Sequence, residues 1–310
     1  MEERIVETAG RQTALGLGGW EHEVLDNCFY PERGMLSGEK LSYYARFFDT
    51  VEVRATFWDD SLGPADARHW TAAVRGTGEF LFLVKLHRSF THTRNPRSQV
   101  TRSTRGLLQE LERQNKLGAL LVQFPYSFTN TSANRYYLTK LAETFRGFPL
   151  QVEFRHASWE YGGLIGLMNE TGMQPVHADL PRIRQFTPFL TAHRGETAYF
   201  RLHGRNDKGW LLNGMDTRYD YLYNGRELQE LRRRVENISQ KCRRTIVIFN
   251  NTSGGKAVAN ALQLLSSLRG TKPVMVPGAA LHAFPFLRAI APLTPLTPSL
   301  FSNNDYREAM

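Results

Sequence analysis

Six short apolar runs in this chain end in polar residues, and five of them carry a polar pair spaced i and i+2. In a β-strand, side chains at i and i+2 point to the same face. An unpaired charge beneath a helix layer is costly, so we expect these faces to open to water or a ligand. The polar residues are Glu52 and Arg54, Lys85 and His87, Gln123 before Pro125, Glu153 and Arg155, His177 and Asp179, and Arg201 and His203. This repeat at successive strand ends predicts the mouth of a barrel.

Strand-like runs alternate with helix-like segments through most of the chain. The predicted strands span residues 14–19, 50–56, 80–87, 119–124, 150–155, 174–179, 198–203 and 245–250. The predicted helices span residues 38–48, 65–75, 103–116, 134–145, 162–170, 226–242 and 255–268, with only a short helix expected in 188–195. Such alternation indicates a parallel sheet. Eight repeats predict a single-domain α/β fold, the (β/α)8 TIM barrel, whereas a doubly wound open sheet would be expected to have six strands.

The predicted domain organisation has three parts. Residues 1–13 form an N-terminal extension, residues 14–290 form the barrel, and residues 291–310 form a flexible tail rich in Pro, Ser and Asn.

Composition is that of an ordinary globular protein, with 41% hydrophobic and 22% charged residues among 310. The net charge of +9 favours acidic partners such as phosphates, nucleic acid or an anionic surface. Two cysteines, Cys28 and Cys242, argue against a disulfide scaffold. The polar N-terminus does not resemble a signal peptide, and no apolar run approaches the roughly 18 residues of a membrane span. We therefore expect a cytoplasmic protein without a membrane partner and leave the oligomeric state open.

Residues at the C-terminal ends of barrel strands usually form the active site. The predicted catalytic residues are Glu52, Glu153, Asp179 and His203. The residues expected to bind substrate are Arg54, Lys85, His92, Gln123, Arg155, His156, Trp159 and Arg201. Crowded acids, bases and imidazoles shift one another's pKa values, as acid–base chemistry requires. The alternative is an ion-pair network that only fills a polar barrel end.

The predicted loops after strands three, six and seven are basic. They contain Arg88, Arg94, Arg97, Arg102, Arg105, Arg182, Arg184, Arg205 and Lys208. Such loops on one barrel face suit contact with phosphate or a nucleic-acid backbone, although they also fit a solvated surface.

No cofactor is predicted, because the chain lacks the Gly-rich phosphate-binding motifs GxGxxG and GxxxxGK[ST]. No metal site is predicted either. The candidate ligands show no HxH or HxxxH spacing, and neighbouring arginines would repel a cation. A divalent metal remains the less favoured alternative.

The chain resembles the YecE-like TIM-barrel proteins, a family of unknown function, over almost the whole predicted domain. The matching motifs are Gly19-Trp20, Phe29-Tyr30-Pro31, FDTVEVRATFW at 48–58, Lys85 with Thr91-His92, QFPYSF at 123–128, EFRHASW at 153–159, RLHGR at 201–205, YDYLY at 219–223 and FNN at 249–251. The resemblance implies the barrel fold and a polar pocket at the strand C-termini. It adds Trp20, Tyr30 and Asn250 to the expected substrate-binding residues, and it implies no reaction.

Two places depart from the pattern of that family. Leu17 and Gly18 stand where a Thr-Ser pair is usual, and Arg54 and Ala55 stand where Asn and Ser are usual. The lost hydroxyl and amide groups and the added guanidinium predict a more positive pocket, and they argue against an identical substrate.

Three functions remain open from the sequence. The first is an enzyme, such as a hydrolase or an isomerase, acting on an anionic or sugar-phosphate-like small molecule. In that enzyme Glu153 or Glu52 would be the general base, His203 an acid or electrophile, and Arg155, Arg201 and Lys85 the anion clamp. The second is a nucleic-acid-binding or repair-like barrel protein that uses the basic loops. The third is a non-catalytic metabolite-binding protein.

Overall fold

A computed structural model describes residues 6–8, 11–211, 215–270 and 272–292 of the chain. Most of the predicted N-terminal extension and almost all of the predicted C-terminal tail lie outside these residues.

The sheet is a closed parallel barrel flanked by one short antiparallel strand. Its strands are β1 Val6–Thr8, β2 Arg11–Leu17, β3 Thr50–Val53, β4 Leu81–Lys85, β5 Leu117–Gln123, β6 Leu150–Glu153, β7 Gln174–Pro175, β8 His177–Asp179, β9 Thr197–Leu202 and β10 Arg244–Phe249. β1 pairs with β2, and the remaining order is β7-β6-β5-β4-β3-β2-β10-β9-β8. β7 pairs with β6, and β8 pairs with β9. Together β7 and β8 act as one barrel strand, interrupted at Val176, and this strand closes the barrel. The predicted TIM barrel is therefore confirmed.

Helices cover the outside of this barrel. They are α1 Leu25–Cys28, α2 Ser37–Tyr44, α3 Pro64–Ala73, α4 Arg88–Thr91, α5 Ser98–Arg113, α6 Ser132–Thr144, α7 Tyr161–Thr171, α8 Asp207–Leu211, α9 Met215–Arg218, α10 Gly225–Ser239, α11 Lys256–Arg269 and α12 Gly278–Ala283. Short 3-10 turns occupy Ala55–Phe57, Ala157–Trp159, Ser253–Gly255 and Pro285–Ala289. Within the described residues, no helix combines the length and apolar character needed to span a bilayer.

The longer helices follow from local sequence signals, as α10 illustrates. Asn224 and Glu227 form a reciprocal capping box at its start, each side chain accepting a hydrogen bond from the other's backbone N–H. Its buried residues Leu228, Leu231, Val235 and Ile238 follow helical spacing and lie on one face. Burial of that face holds the helix against the barrel.

The fold has two apolar cores, one inside the barrel and one between the strands and the surrounding helices. The interior core contains Leu81, Leu83, Ala119, Leu121, Val176, Ala178, Leu180, Tyr199, Ile246 and Ile248. The outer core is much larger and takes the alternate strand residues. This alternation decides which polar residues at the strand ends face the barrel mouth, the opening at the C-terminal ends of the strands.

The connection between β8 and β9 departs from the prediction. The short helix expected in 188–195 is absent, and residues 180–196 contain neither helix nor strand. His177 contacts this segment through Nδ1, which lies 2.7 Å from the Leu190 carbonyl oxygen, and its ring lies 6.1 Å from that of Phe189. Buried Leu190 and partly buried Phe189 pack on the outer core where a helix would otherwise lie.

A tyrosine hydroxyl connects two weakly paired barrel strands. β2 and β3 share only two register pairs, Gly16 with Thr50 and Leu17 with Val51. Tyr44, at the end of α2, donates its hydroxyl to the Thr50 carbonyl at 2.9 Å and accepts from the Leu17 N–H at 2.7 Å. The fully buried side chain thus completes the hydrogen bonding between these strands.

Tyr44→Phe should lower the free energy of unfolding by about 1–3 kcal/mol, because it leaves the buried Leu17 N–H without an acceptor. Tyr43→Phe is the matched control. Its hydroxyl makes no hydrogen bond within the described part of the chain, and we expect a change below about 0.5 kcal/mol. Urea denaturation of both variants measures the difference, and equal stabilities would contradict this role for Tyr44.

Candidate functional site

One arginine crosses the barrel mouth between two carboxylates. Arg201 of β9 donates to both oxygens of Glu52 on β3, with Nε–Oε2 at 2.7 Å and Nη2–Oε1 at 2.8 Å. Its Nη1 donates to Glu153 Oε2 of β6 at 2.5 Å. All three side chains are at most 2% exposed. The Tyr199 hydroxyl adds a hydrogen bond to Glu52 from below, at 2.6 Å.

The surrounding positive charges keep both carboxylates ionised. Burial alone would raise the pKa of Glu52, but the Arg201 guanidinium outweighs burial and the pKa is lowered. Burial likewise opposes ionisation of Glu153, yet Arg155 and Arg201 hold its pKa well below the usual value. These carboxylates therefore act as fixed negative charges at neutral pH.

Arg155 and His203 complete the shell around Glu153. Arg155 Nη2 lies 2.6 Å and His203 Nε2 lies 3.2 Å from Glu153 Oε1. Burial, opposed by Glu153, lowers the pKa of His203 to about 3, so the ring is neutral. Asn250 Nδ2 lies 2.9 Å from His203 Nδ1. This arrangement favours the tautomer in which Nε2 carries the hydrogen toward Glu153 and Nδ1 accepts from the amide.

Lys85 enters the same mouth without a carboxylate partner. It ends β4 two residues beyond the interior residue Leu83, and it is only partly buried. Its ammonium lies 4.0 Å from the centroid of the Phe57 ring, and no ion pair or hydrogen bond of Nζ occurs among the described residues. Burial and the charges of Arg201 and Arg54 outweigh Glu52 and Glu153, and they lower the pKa of Lys85 to about 7.

Further nitrogen groups lie around Lys85. Arg54 Nη1 donates to the Gly18 carbonyl at 3.3 Å and lies 3.4 Å from His22 Nε2. Burial and then Arg54 lower the pKa of His22. On the other side, the exposed ring of His92 meets Phe57 edge to face at 5.0 Å, and partial burial followed by Lys85 lowers its pKa. Both imidazoles therefore favour the neutral state.

Trp210 covers this group of side chains. It lies on α8, in the connection after β9, and its ring centroid is 4.8 Å from Arg155 Cζ and 6.2 Å from the His203 ring. Three buried donors lie here, on Arg155 and on Trp210 itself. Within the described residues, Arg155 Nε, Arg155 Nη1 and Trp210 Nε1 have no hydrogen-bond acceptor. Three buried donors lacking acceptors in one place are an unusual arrangement for a folded protein.

The sequence prediction did not include His22, Phe57, Tyr199 or Trp210 in the site. Trp210 and His22 lie in connections that follow strands β9 and β2, at the face where barrel sites form. This position after a barrel strand was the sequence signal that could have identified Trp210 and His22 as site residues. Nothing in the strand-end pattern singled out Tyr199, which lies two residues before Arg201 and hence on the same face.

One of the five polar pairs, His177 and Asp179, does not point into the barrel, contrary to the expectation of one shared face. Val176, Ala178 and Leu180 belong to the interior core, so His177 and Asp179 occupy the opposite face. Asp179 accepts two hydrogen bonds from Arg205, both at 2.8 Å, and one from the Tyr223 hydroxyl at 2.8 Å. Asp179 thus lies in a separate buried ion pair rather than with Glu52 and Glu153.

Four of the other expected binding residues lie apart from the mouth cluster. Trp20 and Tyr30 pack in the outer core, and Tyr30 donates to the Trp20 carbonyl. Trp159 is fully buried, stacks on Phe154 at 4.1 Å and donates to the Phe128 carbonyl at 2.7 Å. His156 caps the turn that follows β6, where its Nδ1 accepts from the Ser158 N–H at 3.1 Å.

Gln123 occupies an inward-facing position at the end of β5, two residues beyond the interior residue Leu121. Its Nε2 donates to the neighbouring Phe124 carbonyl at 2.7 Å. The mouth cluster therefore gathers Glu52, Arg54, Lys85, Glu153, Arg155, Arg201, His203 and Asn250 among the predicted residues, with Gln123 and His92 at its edge.

Several arginines of the basic loops already have partners within the chain. Arg97 pairs with Asp60, and Arg105 donates to the Thr144 carbonyl. Arg205 is held by Asp179 and Glu230, and Arg182 lies 3.8 Å from Glu230. Much of the positive charge predicted for this face is therefore committed to the fold.

The mouth also lacks the ligand set of a metal centre. Within the residues that the structure describes, no group of three or more His, Cys, Asp or Glu side chains is placed to hold a metal ion.

One family model and one curated relative each cover most of this chain. The family described as "Protein of unknown function DUF72" matches residues 14–281. The UPF0759 protein YunF of Bacillus subtilis (strain 168) is 31% identical over 273 residues, which cover 82% of this chain and 94% of YunF.

Two solved structures of DUF72 family proteins match the fold. One, from Thermotoga maritima, has a TM-score of 0.72 at 30% identity. The match covers 83% of this chain and 99% of the Thermotoga maritima chain. The other, from Enterococcus faecalis V583, has a TM-score of 0.73 at 28% identity. The match covers 86% of this chain and 98% of the Enterococcus faecalis chain. These matches confirm the resemblance seen in the sequence motifs, and the chain belongs to DUF72, a family of TIM-barrel proteins of unknown function.

Proposed function

We propose that this protein is an enzyme acting on a small anionic substrate, bound at the barrel mouth by Arg155, Arg54 and Lys85. The observation that carries the proposal is the set of buried donors without acceptors, on Arg155 and on the Trp210 indole. A phosphate or carboxylate group supplies several acceptor oxygens to such donors, and a guanidinium binds it in a fixed geometry. Trp210 would move aside to admit the anion and would then cover it.

The charge balance of the mouth supports an anionic ligand. Arg201 and Arg155 neutralise the two buried carboxylates, Glu52 and Glu153. Lys85 and Arg54 then add positive charge, and neither forms an ion pair within the described residues. An anion entering the mouth would therefore meet an uncompensated positive potential in partly desolvated surroundings, where charge interactions are strong.

A small ligand fits this arrangement better than a nucleic acid does. Nucleic-acid binding depends on several free cations that contact successive phosphates. Arg97, Arg105, Arg182 and Arg205 already contact acceptors of the chain itself. Arg54, Lys85 and the buried donors of Arg155 and Trp210 instead lie together at the mouth, where a single small anion can reach them.

The electrostatics also suggest how the mouth divides its roles. Glu52 and Glu153 stay ionised and hold the arginines in position, while His203 stays neutral and orients Glu153. Lys85 has its pKa near the pH at which a group both donates and accepts protons efficiently. We therefore assign the chemical step to Lys85, whose amine changes its protonation near neutral pH, and anion binding to Arg155 and Arg54 together with the protonated form of Lys85.

Glycerol 3-phosphate and sulfate should raise the melting temperature of the wild-type protein, since a ligand at 100 times its Kd adds about 2.7 kcal/mol of stability. Arg155→Gln should weaken that binding at least tenfold, because it removes the unpaired donors. Arg113→Gln is the control, since it removes the same charge from an exposed pair with Glu110 on α5. Thermal shift and isothermal titration measure both, and equal binding by the two variants would refute the proposed anion site.

Sulfate affinity should fall as the pH rises from about 6 to 8.5, because Lys85 loses its charge in this range. Sulfate keeps its own charge throughout, so the change reports the protein. Lys85→Met should bind sulfate weakly with a flat pH profile. A profile in the wild type that matches that of Lys85→Met would remove Lys85 from the site.

A further inference from the structure

We propose that Lys85 is a covalent nucleophile that forms an imine with its substrate, so that the substrate class is an anionic aldehyde or ketone. The inference rests on the proposed function, because the same mouth must first bind the anionic group. It adds the chemistry that the bound molecule undergoes and the carbon atom at which it occurs.

The first support is the competition for counter-ions. Arg201 takes both oxygens of Glu52 and one of Glu153, and Arg155 takes the other oxygen of Glu153. Among the described residues no carboxylate is left for Lys85, whose ammonium lies against the Phe57 ring instead. A lysine in cationic and partly apolar surroundings loses its proton easily, and the neutral amine is the nucleophilic form.

The second support is the position of the amine. Lys85 ends a barrel strand with its side chain on the interior face, and it is only partly buried, so a ligand in the mouth can reach it. Arg54 follows the end of β3, which pairs in parallel with β4, and its charge acts on Lys85. Arg155 follows the end of β6 at the same face of the barrel. A substrate whose anionic group is held by either arginine would have its carbonyl group in the mouth that Lys85 enters.

The chemical step needs no co-reactant beyond the substrate. The unprotonated amine of Lys85 attacks the carbonyl carbon, and a proton passes from that nitrogen to the carbonyl oxygen, which gives a neutral carbinolamine. The hydroxyl group then takes up a proton from solvent, the carbon–oxygen bond breaks, water leaves, and the nitrogen electron pair forms a protonated carbon–nitrogen double bond. This iminium withdraws electrons from the neighbouring carbon and so favours proton removal or carbon–carbon bond cleavage there.

Pyridoxal 5′-phosphate is a suitable probe, because it joins an aldehyde to a phosphate group. After incubation at pH 7 and reduction with borohydride, peptide mass spectrometry should find the reduced adduct on Lys85. Labelling should be on the order of a hundredfold faster than at exposed lysines, whose pKa near 10.4 leaves little free amine. Sulfate should slow the labelling of Lys85, and pyridoxal without the phosphate should label it more slowly.

Two variants make the result decisive. Lys85→Arg should abolish the adduct, because a guanidinium stays protonated and has no free electron pair to attack the carbonyl carbon. Lys116→Met is the matched control and should not change the labelling of Lys85. Lys116 is also a half-buried lysine with a lowered pKa, but it precedes β5 at the opposite end of the barrel.

The outcomes separate the two proposals. Normal sulfate binding with Lys85 labelled no faster than exposed lysines would overturn the nucleophile and leave the anion site standing. Fast labelling that sulfate does not slow, and that pyridoxal matches, would support a reactive amine and overturn the anion site. Fast labelling that requires the phosphate and disappears in Lys85→Arg supports both.

Discussion

The ion-pair network of Arg201 with Glu52 and Glu153 is the constraint on which the rest of this barrel depends. It joins the ends of β3, β6 and β9 across the interior, where all three side chains are almost fully buried. Desolvating such charges is expensive, and removing one partner of a buried pair typically costs about 3–5 kcal/mol. The network is tolerable because Arg201 contacts both oxygens of Glu52 and one oxygen of Glu153, while Arg155 and His203 lie against the other Glu153 oxygen. The architecture of the barrel and the electrostatics of its mouth therefore rest on the same three residues.

The other groups of the mouth take their properties from this network. Burial keeps His203 neutral. Because the arginines occupy the carboxylates, Lys85 has no counter-ion among the residues that the structure describes. Within the same residues, Arg155 uses one nitrogen on Glu153 and leaves Nε and Nη1 without acceptors. The proposed reactive amine and the proposed anion site thus depend on the same arrangement. The low pKa of Glu52 and Glu153 suits them to holding charges in place better than to accepting protons.

The strand number and the position of the mouth were predictable from sequence, because each strand repeats one local pattern. Polar residues at i and i+2 fix a shared face, and for Glu153 and Arg155 that face is the interior. The pattern does not say which face is inside, so His177 and Asp179 were misplaced when the interior instead took Val176, Ala178 and Leu180. Trp210 could not be found in this way, since its position depends on how the connection after β9 folds back over the mouth.

The two buried imidazoles make the fold sensitive to acid. Burial lowers the pKa of His177 to about 4 and that of His203 to about 3, whereas an unfolded histidine titrates near 6.5. Between these values the unfolded chain binds more protons than the folded one. The stability that the two neutral imidazoles contribute is therefore fully present above about pH 6.5 and is lost as the pH falls. His177 contacts the segment 180–196, which contains no helix, and His203 contacts Glu153 in the barrel mouth. Acidification therefore weakens the side of the barrel at that segment and the barrel mouth together.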